Sequence, residues 1–446
     1  MCTRYNTTTR AKYKGVTLGT FIQSSEQLSQ AIAAQVASVS ITDIHTHLFP
    51  QAFGELMSSG ADDLINYHYL VAEALLDNRI SKEYFWSLEN SERADLIWQR
   101  LFVDQRPISE ATRGIVTVLN RLGLATKDIK LSELREYFEE TSKEQMIDTT
   151  LSLANVRDVV MTNDPLDEVE SHLWINDKFR QLTSDKRFHR ALRLDQILND
   201  WENSKVKLVN RGYQVDGDLD TPNQRTLAVE ELSRFLTEWI TRMDPLYLAA
   251  SVPSTFTYPA SDLQTFLLDE VVMPVARRHN LTIAIMAGTK RQINPDLKLA
   301  GDSVASTDVG AVENLARNNP NNRFLVTLLS LEDQHRLTVV ARKFSNIMIF
   351  GCWWFLNTPS LIEKITTMRL ELLGPNFIAQ HSDARVLEQL IYKWSHSRAT
   401  ITKALQSQYS LLFDENWAIT EGDIEKDVTA LFRGNFWNFI KRDPKS

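Results

Sequence analysis

Two histidines at the end of a short apolar segment are the residues best placed to hold a metal ion. Residues 40–50 have the sequence SITDIHTHLFP, in which a single threonine separates His45 from His47. Side chains two residues apart lie on the same face of a β-strand, so both imidazoles would point to one place. Two aligned imidazoles can supply two ligands of a divalent-metal site, which needs at least one further protein ligand. Polar residues that merely cap a strand would give the same pattern.

The elements that must position these histidines follow from the hydrophobic pattern. From Ile41 onward, eight short apolar segments are typical of β-strands, and most precede a helical pattern. After the first, the segments are Val156–Thr162, Phe188–Arg193, Leu246–Val252, Leu281–Gly288, Phe324–Leu329, Ile347–Cys352 and Phe377–His381. Eight such units predict an α/β protein with a (β/α)8 TIM-like barrel, whose chemistry lies at the C-terminal ends of the strands.

The chain also contains a long helical stretch inside the barrel sequence. We expect an N-terminal arm and helix over residues 1–40, the first 24 of them without a clear period. The barrel would comprise residues 41–50 and 153–400, with a large helical insertion over 51–152 after strand 1 and C-terminal helices over 401–446. An insertion of this size is compatible with a subdomain over the site.

The last strand supplies a candidate third ligand. Residues 377–385 have the sequence FIAQHSDAR. Strand eight lies beside strand one in a closed barrel, so Asp383 would fall next to His45 and His47. Two imidazoles and one carboxylate with open positions describe a catalytic mononuclear site. Arg385 can lie on the same side as Asp383, where it would hold a substrate carboxylate or orient the acid.

Composition excludes several classes of protein. The 446 residues include 43% hydrophobic and 24% charged residues, as in globular proteins. The net charge of −8 without a dense basic tract argues against nucleic-acid and acidic-membrane partners. Two distant cysteines exclude a disulfide framework and favour a reducing compartment. No apolar run is long enough to span a membrane, and residues 1–14 lack a signal-peptide core, so we expect a cytoplasmic protein.

These motifs together resemble the uronate isomerases, a branch of the amidohydrolase superfamily. The resemblance begins with His-Thr-His-Leu on the first strand and Ser-Asp-Ala-Arg on the last, and it covers most of residues 41–415. Further similar stretches are Asn66–Tyr69, Asn155-Val156, Met161–Pro165, Arg193–Asp195, Gly288–Arg291 and Gly351–Trp354. The resemblance implies a metal-dependent barrel that converts an aldose into a ketose, with a hexuronic acid as the substrate.

The resemblance also implies roles at the candidate site. His45, His47 and Asp383 would bind one divalent ion, for which zinc is expected. Tyr69 and Asp383 would carry the proton between C2 and C1 of the sugar, and His68 would donate to a substrate oxygen.

A second group would bind the substrate. Its carboxylate would be bound by Arg193, Arg291 and Arg385, since a planar guanidinium can donate two parallel hydrogen bonds to the two oxygens of a carboxylate. Trp354 would be a platform for the sugar face.

Several of these residues have structural alternatives. Tyr69 lies in a helical pattern and would equally suit an apolar face. Arg193 can pair with Asp195, and Arg291 lies in a polar loop where it can be solvated. Trp353 and Trp354 are adjacent, so only one of them is expected to face the barrel mouth.

The sequence departs from the family on two strands. Residues 250–253 replace the family's Ser-Asp-His, and Met286 replaces a strand-five histidine. The residues that stand at these positions cannot transfer protons, so either the substrate or the reaction would differ from that of the family. His381 shares the strand face of Asp383 and is either an additional ligand or, as we favour, a hydrogen-bonded barrel histidine.

Two other functions remain open. A mononuclear metal-dependent hydrolase would use Asp383 as a base for attack on a lactone, ester or amide. A non-catalytic homologue would bind sugar acids without converting them. In each case the expected partner is a small acidic sugar or a related small molecule, and a homo-oligomer is compatible with the sequence.

Overall fold

A curled sheet and its surrounding helices form the part of the chain that the computed structural model describes, which is residues 21–77, 79–124, 129–176 and 182–442. The predicted arm lies outside these residues, apart from residues 21–24. The strands are β1 (Ile41–Thr46), β2 (Val156–Asn163), β3 (Phe188–Arg193), β4 (Tyr247–Pro253), β5 (Thr282–Lys290), β6 (Ser303–Val304), β7 (Phe324–Leu328) and β8 (Ile347–Ile349). Seven are parallel neighbours in the order β1-β2-β3-β4-β5-β7-β8, and β6 pairs antiparallel with β5. This arrangement confirms the predicted (β/α)8 fold class.

Helices occupy most of the chain between the strands. The first is α1 (Ser25–Ser38), where the Ser24 side chain accepts a hydrogen bond from the Gln27 amide, as expected of an N-cap. Seven helices follow β1, namely α2 (Ala61–Ile65), α3 (His68–Ala74), α4 (Lys82–Ser87), α5 (Asn90–Trp98), α6 (Glu110–Arg121), α7 (Leu131–Glu140) and α8 (Lys143–Ala154). The described residues between 51 and 154 are therefore mainly helical, as predicted for residues 51–152.

The remaining helices lie mostly between later strands or after the last one. They are α9 (Glu168–Ile175), α10 (Asp195–Asn199), α11 (Trp201–Asn210), α12 (Pro222–Met243), α13 (Leu263–Leu267), α14 (Met273–Arg278), α15 (Val309–Asn318), α16 (Gln334–Ala341), α17 (Pro359–Leu373), α18 (Gln389–Asp414), α19 (Glu421–Thr429) and α20 (Asn435–Ile440). Short 3-10 or π turns are Gln51–Leu56, Gln99–Val103, Leu268–Val272, Pro295–Gly301, Trp354–Leu356 and Ala430–Gly434. Among the described residues, no helix is both long enough and apolar enough to cross a membrane.

The eighth predicted segment differs from the prediction. Phe377–His381 is not a regular strand, since its strand-type pairing is a single bridge from Ile378 to Phe350. The amide of Ile378 donates to Ile349 at 3.0 Å, and further along the chain the amide of Asp383 donates to His45 at 3.1 Å. The segment thus closes the gap between β8 and β1 with scattered backbone hydrogen bonds.

A glycine explains why β8 is shorter than predicted. Gly351 has a φ of +58°, which ends the extended backbone. A Cβ at this position would lie 1.9 Å from Nδ1 of His381, so a larger residue does not fit. The predicted strand over Ile347–Cys352 therefore stops at Ile349.

Three clusters of buried side chains hold these layers together. One fills the sheet interior, including Ile44 on β1, Met286 on β5 and Phe350 beyond β8. The largest packs the outer helices on the sheet. A separate cluster joins helices α2–α7 and is completed by Ile391 and Tyr392 of α18. Helices α2–α7 thus have a core of their own that rests on α18, whereas the buried side chains of α8 belong to the largest cluster.

Candidate active site

The two histidines of β1 and Asp383 meet where β1 ends. Nε2 of His45 and Nε2 of His47 lie 3.5 and 3.3 Å from the same oxygen, Oδ1 of Asp383. This is the one group of three His, Cys, Asp or Glu side chains in the described ranges that could hold a metal ion. The His47 side chain is 21% exposed and that of His45 only 6%, so the site opens to solvent beside His47.

Hydrogen bonds around His47 indicate which of its nitrogens carries the proton. The Thr162 hydroxyl donates to the Thr46 carbonyl at 3.1 Å and lies 3.0 Å from Nδ1 of His47. Because that hydroxyl proton is already used, Nδ1 is the donor and Nε2 keeps a free lone pair. This lone pair faces Oδ1 of Asp383, which has no hydrogen-bond partner among the described residues. Two acceptors that face each other are stabilised by a cation, so the group fits a divalent metal.

The protonation states of the three residues suit the same conclusion. Burial lowers the pKa of His45 to about 3. Burial, followed by the charge of Arg385, lowers the pKa of His47 to about 4. Burial opposes ionisation of Asp383, but nearby positive charge, including that of Arg385, holds its pKa well below the usual range. Neutral imidazoles and an ionised carboxylate are the forms that bind a metal.

Three residues that are not among the predicted site residues, Asp43, Lys393 and Trp394, hold the backbone next to Asp383 in place. Asp383 has a left-handed φ of +52°. The preceding residue, Ser382, donates its amide to Oδ1 of Asp43 at 3.0 Å and accepts a hydrogen bond from Nζ of Lys393 at 2.9 Å. Trp394 donates its indole N–H to the other Asp43 oxygen at 2.8 Å. A carboxylate in a short strand of the predicted barrel was a visible signal for Asp43, whereas nothing near Lys393 in sequence points to this contact.

Aromatic and imidazole side chains form one wall beside the candidate ligands. The His68 ring, at the start of α3, lies 4.6 Å from the Tyr69 ring and 6.0 Å from the Trp354 ring. The Tyr69 hydroxyl and the Trp354 indole nitrogen are buried and have no hydrogen-bond partner in the described part of the chain. Burial lowers the pKa of His68 to about 3 and raises that of Tyr69 well above its usual value. A neutral imidazole and a protonated phenol are thus free to bond a ligand.

Trp353 and Trp354 are both largely shielded from solvent. Both are buried, at 4% and 5% exposure, and both belong to the cluster inside the sheet. Trp354 is the one that lies beside His68.

The three candidate arginines are placed differently. Arg193, at the end of β3, pairs with Asp195 at 3.2 Å and lies close enough to lower the pKa of His45 and His47. Arg385 acts on the pKa of His47 and Asp383 and has no ion-pair partner among the described residues. Arg291 is exposed to solvent over 56% of its side chain, and it pairs with Asp302 at 2.5 Å. Its guanidinium lies 5.8 Å from the Trp354 ring.

His381 lies outside the group of candidate ligands. It is completely buried, with its ring 5.5 Å from that of His45. Neither nitrogen has a hydrogen-bond partner within the described residues, so it is not the hydrogen-bonded histidine that we favoured. Its nitrogens also do not lie close enough to those of His45, His47 and Asp383 to complete the group.

Comparisons with known proteins agree with this geometry. No protein-family model and no curated protein matches the sequence. A uronate isomerase from Bacillus halodurans is 47% identical and superposes with a TM-score of 0.91, over 95% of this chain and 98% of that one. The chain belongs to the uronate isomerase family.

More distant family members share the architecture. A uronate isomerase from Thermotoga maritima is 13% identical, with a TM-score of 0.71 over 92% of this chain and 97% of that one. A glucuronate isomerase from Caulobacter crescentus is 14% identical, with a TM-score of 0.74 over 96% and 97%. At this identity the similarity concerns the fold alone. The uronate isomerase fold therefore extends over almost the whole chain, including the helices after β1.

Proposed function

We propose that this protein is a metal-dependent isomerase that interconverts the aldose and ketose forms of a hexuronic acid. The observation that carries the proposal is the convergence of His45, His47 and Asp383 in a chain 47% identical to a uronate isomerase. One divalent ion, which we propose to be zinc, would be held by these three side chains. When bound, this ion supplies positive charge that stabilises the enediolate-like charge formed as the C2 proton leaves.

The surrounding residues would hold the substrate and move its proton. Arg193 and Arg385 are proposed to bind the substrate carboxylate, because both lie beside the ligand group. Asp383 is ionised and can accept the C2 proton, and Tyr69 is protonated and can exchange a proton with a sugar oxygen. His68 would donate to a further oxygen.

Two predicted binding residues would have lesser roles. Trp354 would close the pocket behind the sugar, since it lies beside His68. Arg291 would act only at the outer edge, because it is exposed and already paired.

The test is to follow D-glucuronate and D-galacturonate by proton NMR in D2O with zinc-loaded protein. We expect ketose signals to appear and deuterium to enter C1 or C2. The Asp383→Asn protein is the control and should give neither. Turnover of lactones or esters without ketose formation would replace the proposal with a hydrolase, and binding of uronates without any conversion would leave a sugar-acid-binding protein.

A further inference from the structure

A second pocket adjoins the candidate active site on the side of the helices after β1. It has a volume of about 380 Å³, and its lining includes Trp86, Arg93 and Lys298. It shares His68 and Arg385 with the site described above. One wall comes from α3–α5 and the other from the turn Pro295–Gly301 that follows β5. We call this pocket the vestibule.

We propose that the vestibule is a capture site for the carboxylate of a sugar acid, from which the substrate passes to His45, His47 and Asp383. This inference rests on the proposed function, since it names the path of the same substrate. Its ligand class is an anionic monosaccharide, and a neutral sugar of the same size should not be held there.

Charge is the first argument for this role. Three cationic side chains, those of Arg93, Lys298 and Arg385, line the vestibule. None of them pairs with a carboxylate of the described residues, although Arg93 donates to the Leu88 carbonyl and to Oδ1 of Asn90, each at 3.3 Å. One carboxylate, that of Asp63, lines it and accepts a hydrogen bond from the Ser58 hydroxyl at 2.8 Å. In a chain of net charge −8, this local excess of positive charge would concentrate an anion at the opening.

The two outer cations are held in place by one aromatic ring. Nζ of Lys298 lies 4.3 Å from the centre of the Trp86 ring, and the Arg93 guanidinium lies 5.7 Å from it. The Trp86 indole donates to the Asp296 carbonyl at 2.7 Å, which ties α4 to the turn after β5. Cations placed over an aromatic ring are oriented without being neutralised, so the positive charge of both side chains still attracts an anion.

Unpaired polar atoms are the second, independent argument. Oδ1 of Asn66 and Nε2 of His68 are buried in the vestibule lining and have no hydrogen-bond partner among the described residues. His68 is only 9% exposed. Buried polar atoms without partners are costly, and the hydroxyl groups of a sugar would satisfy both.

The backbone at Lys298 is consistent with a functional constraint. This residue has φ of +51° and ψ of −126°, a conformation that L-residues rarely adopt. The strained turn places the amine over Trp86 at the pocket edge.

The decisive variant is the double substitution Arg93→Gln/Lys298→Gln, which removes two charges and leaves the proposed catalytic residues intact. The matched control is Lys343→Gln, an exposed lysine before β8 at the opposite ends of the strands. In zinc-loaded protein at low salt, we expect the double variant to lose about threefold to tenfold in kcat/KM with kcat unchanged. The loss should vanish in about 0.5 M KCl, because salt screens the exposed charges. A loss that persists in high salt, or one confined to kcat, would overturn the proposal.

Binding without turnover separates this inference from the proposed function. Methyl α-D-glucuronoside cannot open to an aldehyde and therefore cannot isomerise. We expect it to bind wild-type and Lys343→Gln protein equally in calorimetric titrations, and the double variant about threefold to tenfold more weakly. Methyl α-D-glucoside, which lacks the carboxylate, should bind all three equally weakly. Unchanged affinity of the double variant, or equal binding of both glycosides to wild type, would refute the vestibule even if the enzyme is active. The expected pattern in an inactive protein would support the vestibule and refute the isomerase.

Discussion

The two sides of the barrel mouth differ sharply in chemistry. On the side of β1 and residues 377–384, imidazoles and carboxylates are buried together, and Asp43 and Lys393 hold the backbone at Ser382. On the side of β4 and β5, Ala249 and Met286 are buried in the apolar cluster that fills the sheet interior. The groups able to bind a metal or transfer a proton thus lie where the barrel closes, whereas β4 and β5 present apolar side chains.

The largest effect is expected from substitution of the candidate metal ligands on the side of β1 and residues 377–384. Replacement of His45 and His47 by alanine should remove bound zinc and lower turnover by roughly 10³-fold, because both the ion and its charge stabilisation are lost. Metal analysis of the purified protein and the NMR assay measure both. His335→Ala, an exposed histidine on α16, is the control and should change neither. Retention of zinc by the double variant would place the metal site elsewhere.

Arg385→Gln should have the next largest effect. A charged hydrogen bond to a carboxylate contributes about 1.5–3 kcal/mol, so KM for the uronate should rise about tenfold to 150-fold. Steady-state kinetics gives the value. An equal fall in kcat at constant KM would instead mean that Arg385 orients Asp383.

A small effect is expected on the apolar side. Met286→Leu keeps the volume of this buried residue and should cost less than about 1.5 kcal/mol in the free energy of unfolding. Because Met286 has no part in proton transfer, kcat should change by less than about threefold. Thermal unfolding and the isomerase assay measure these values. A large fall in kcat with unchanged stability would show that both sides of the mouth take part in the reaction.

A further effect, on stability rather than on turnover, concerns a buried carboxylate just after residues 377–384. Burial raises the pKa of Glu388 from 4.5 to about 7. Between these values the folded protein keeps a proton that the unfolded chain has released, so this residue lowers stability as the pH rises through that window. Gln can still accept the 2.5 Å hydrogen bond from the Ser59 hydroxyl. We therefore expect Glu388→Gln to unfold at a similar temperature to wild type at about pH 4.5, and a few degrees higher at about pH 8. A difference that does not depend on pH would contradict the buried, protonated state.

The segment between β8 and β1 shows where hydrophobic periodicity did not predict the backbone conformation. The alternation of Phe377–His381 predicted a strand, yet the structure has a single bridge there. The left-handed φ of Asp383 and the contacts of Ser382 with Asp43 and Lys393 take the backbone out of a regular ladder. These contacts join residues far apart in sequence, so no local pattern encodes them. The same holds for His381, whose lack of partners depends on the packing of Gly351 against its ring.

The sequence by itself determined the barrel, the helical stretch after the first strand and the residue types of the candidate metal site. Strand and helix periods are local properties, and a His-x-His motif at a strand end fixes its own geometry. Only the tertiary structure decided which nitrogens face Asp383, which arginines lie near it, and that Arg93, Lys298 and Arg385 line one pocket. These facts depend on how separate elements pack together, because a side chain's partners and burial are set by neighbours that its own sequence context does not contain.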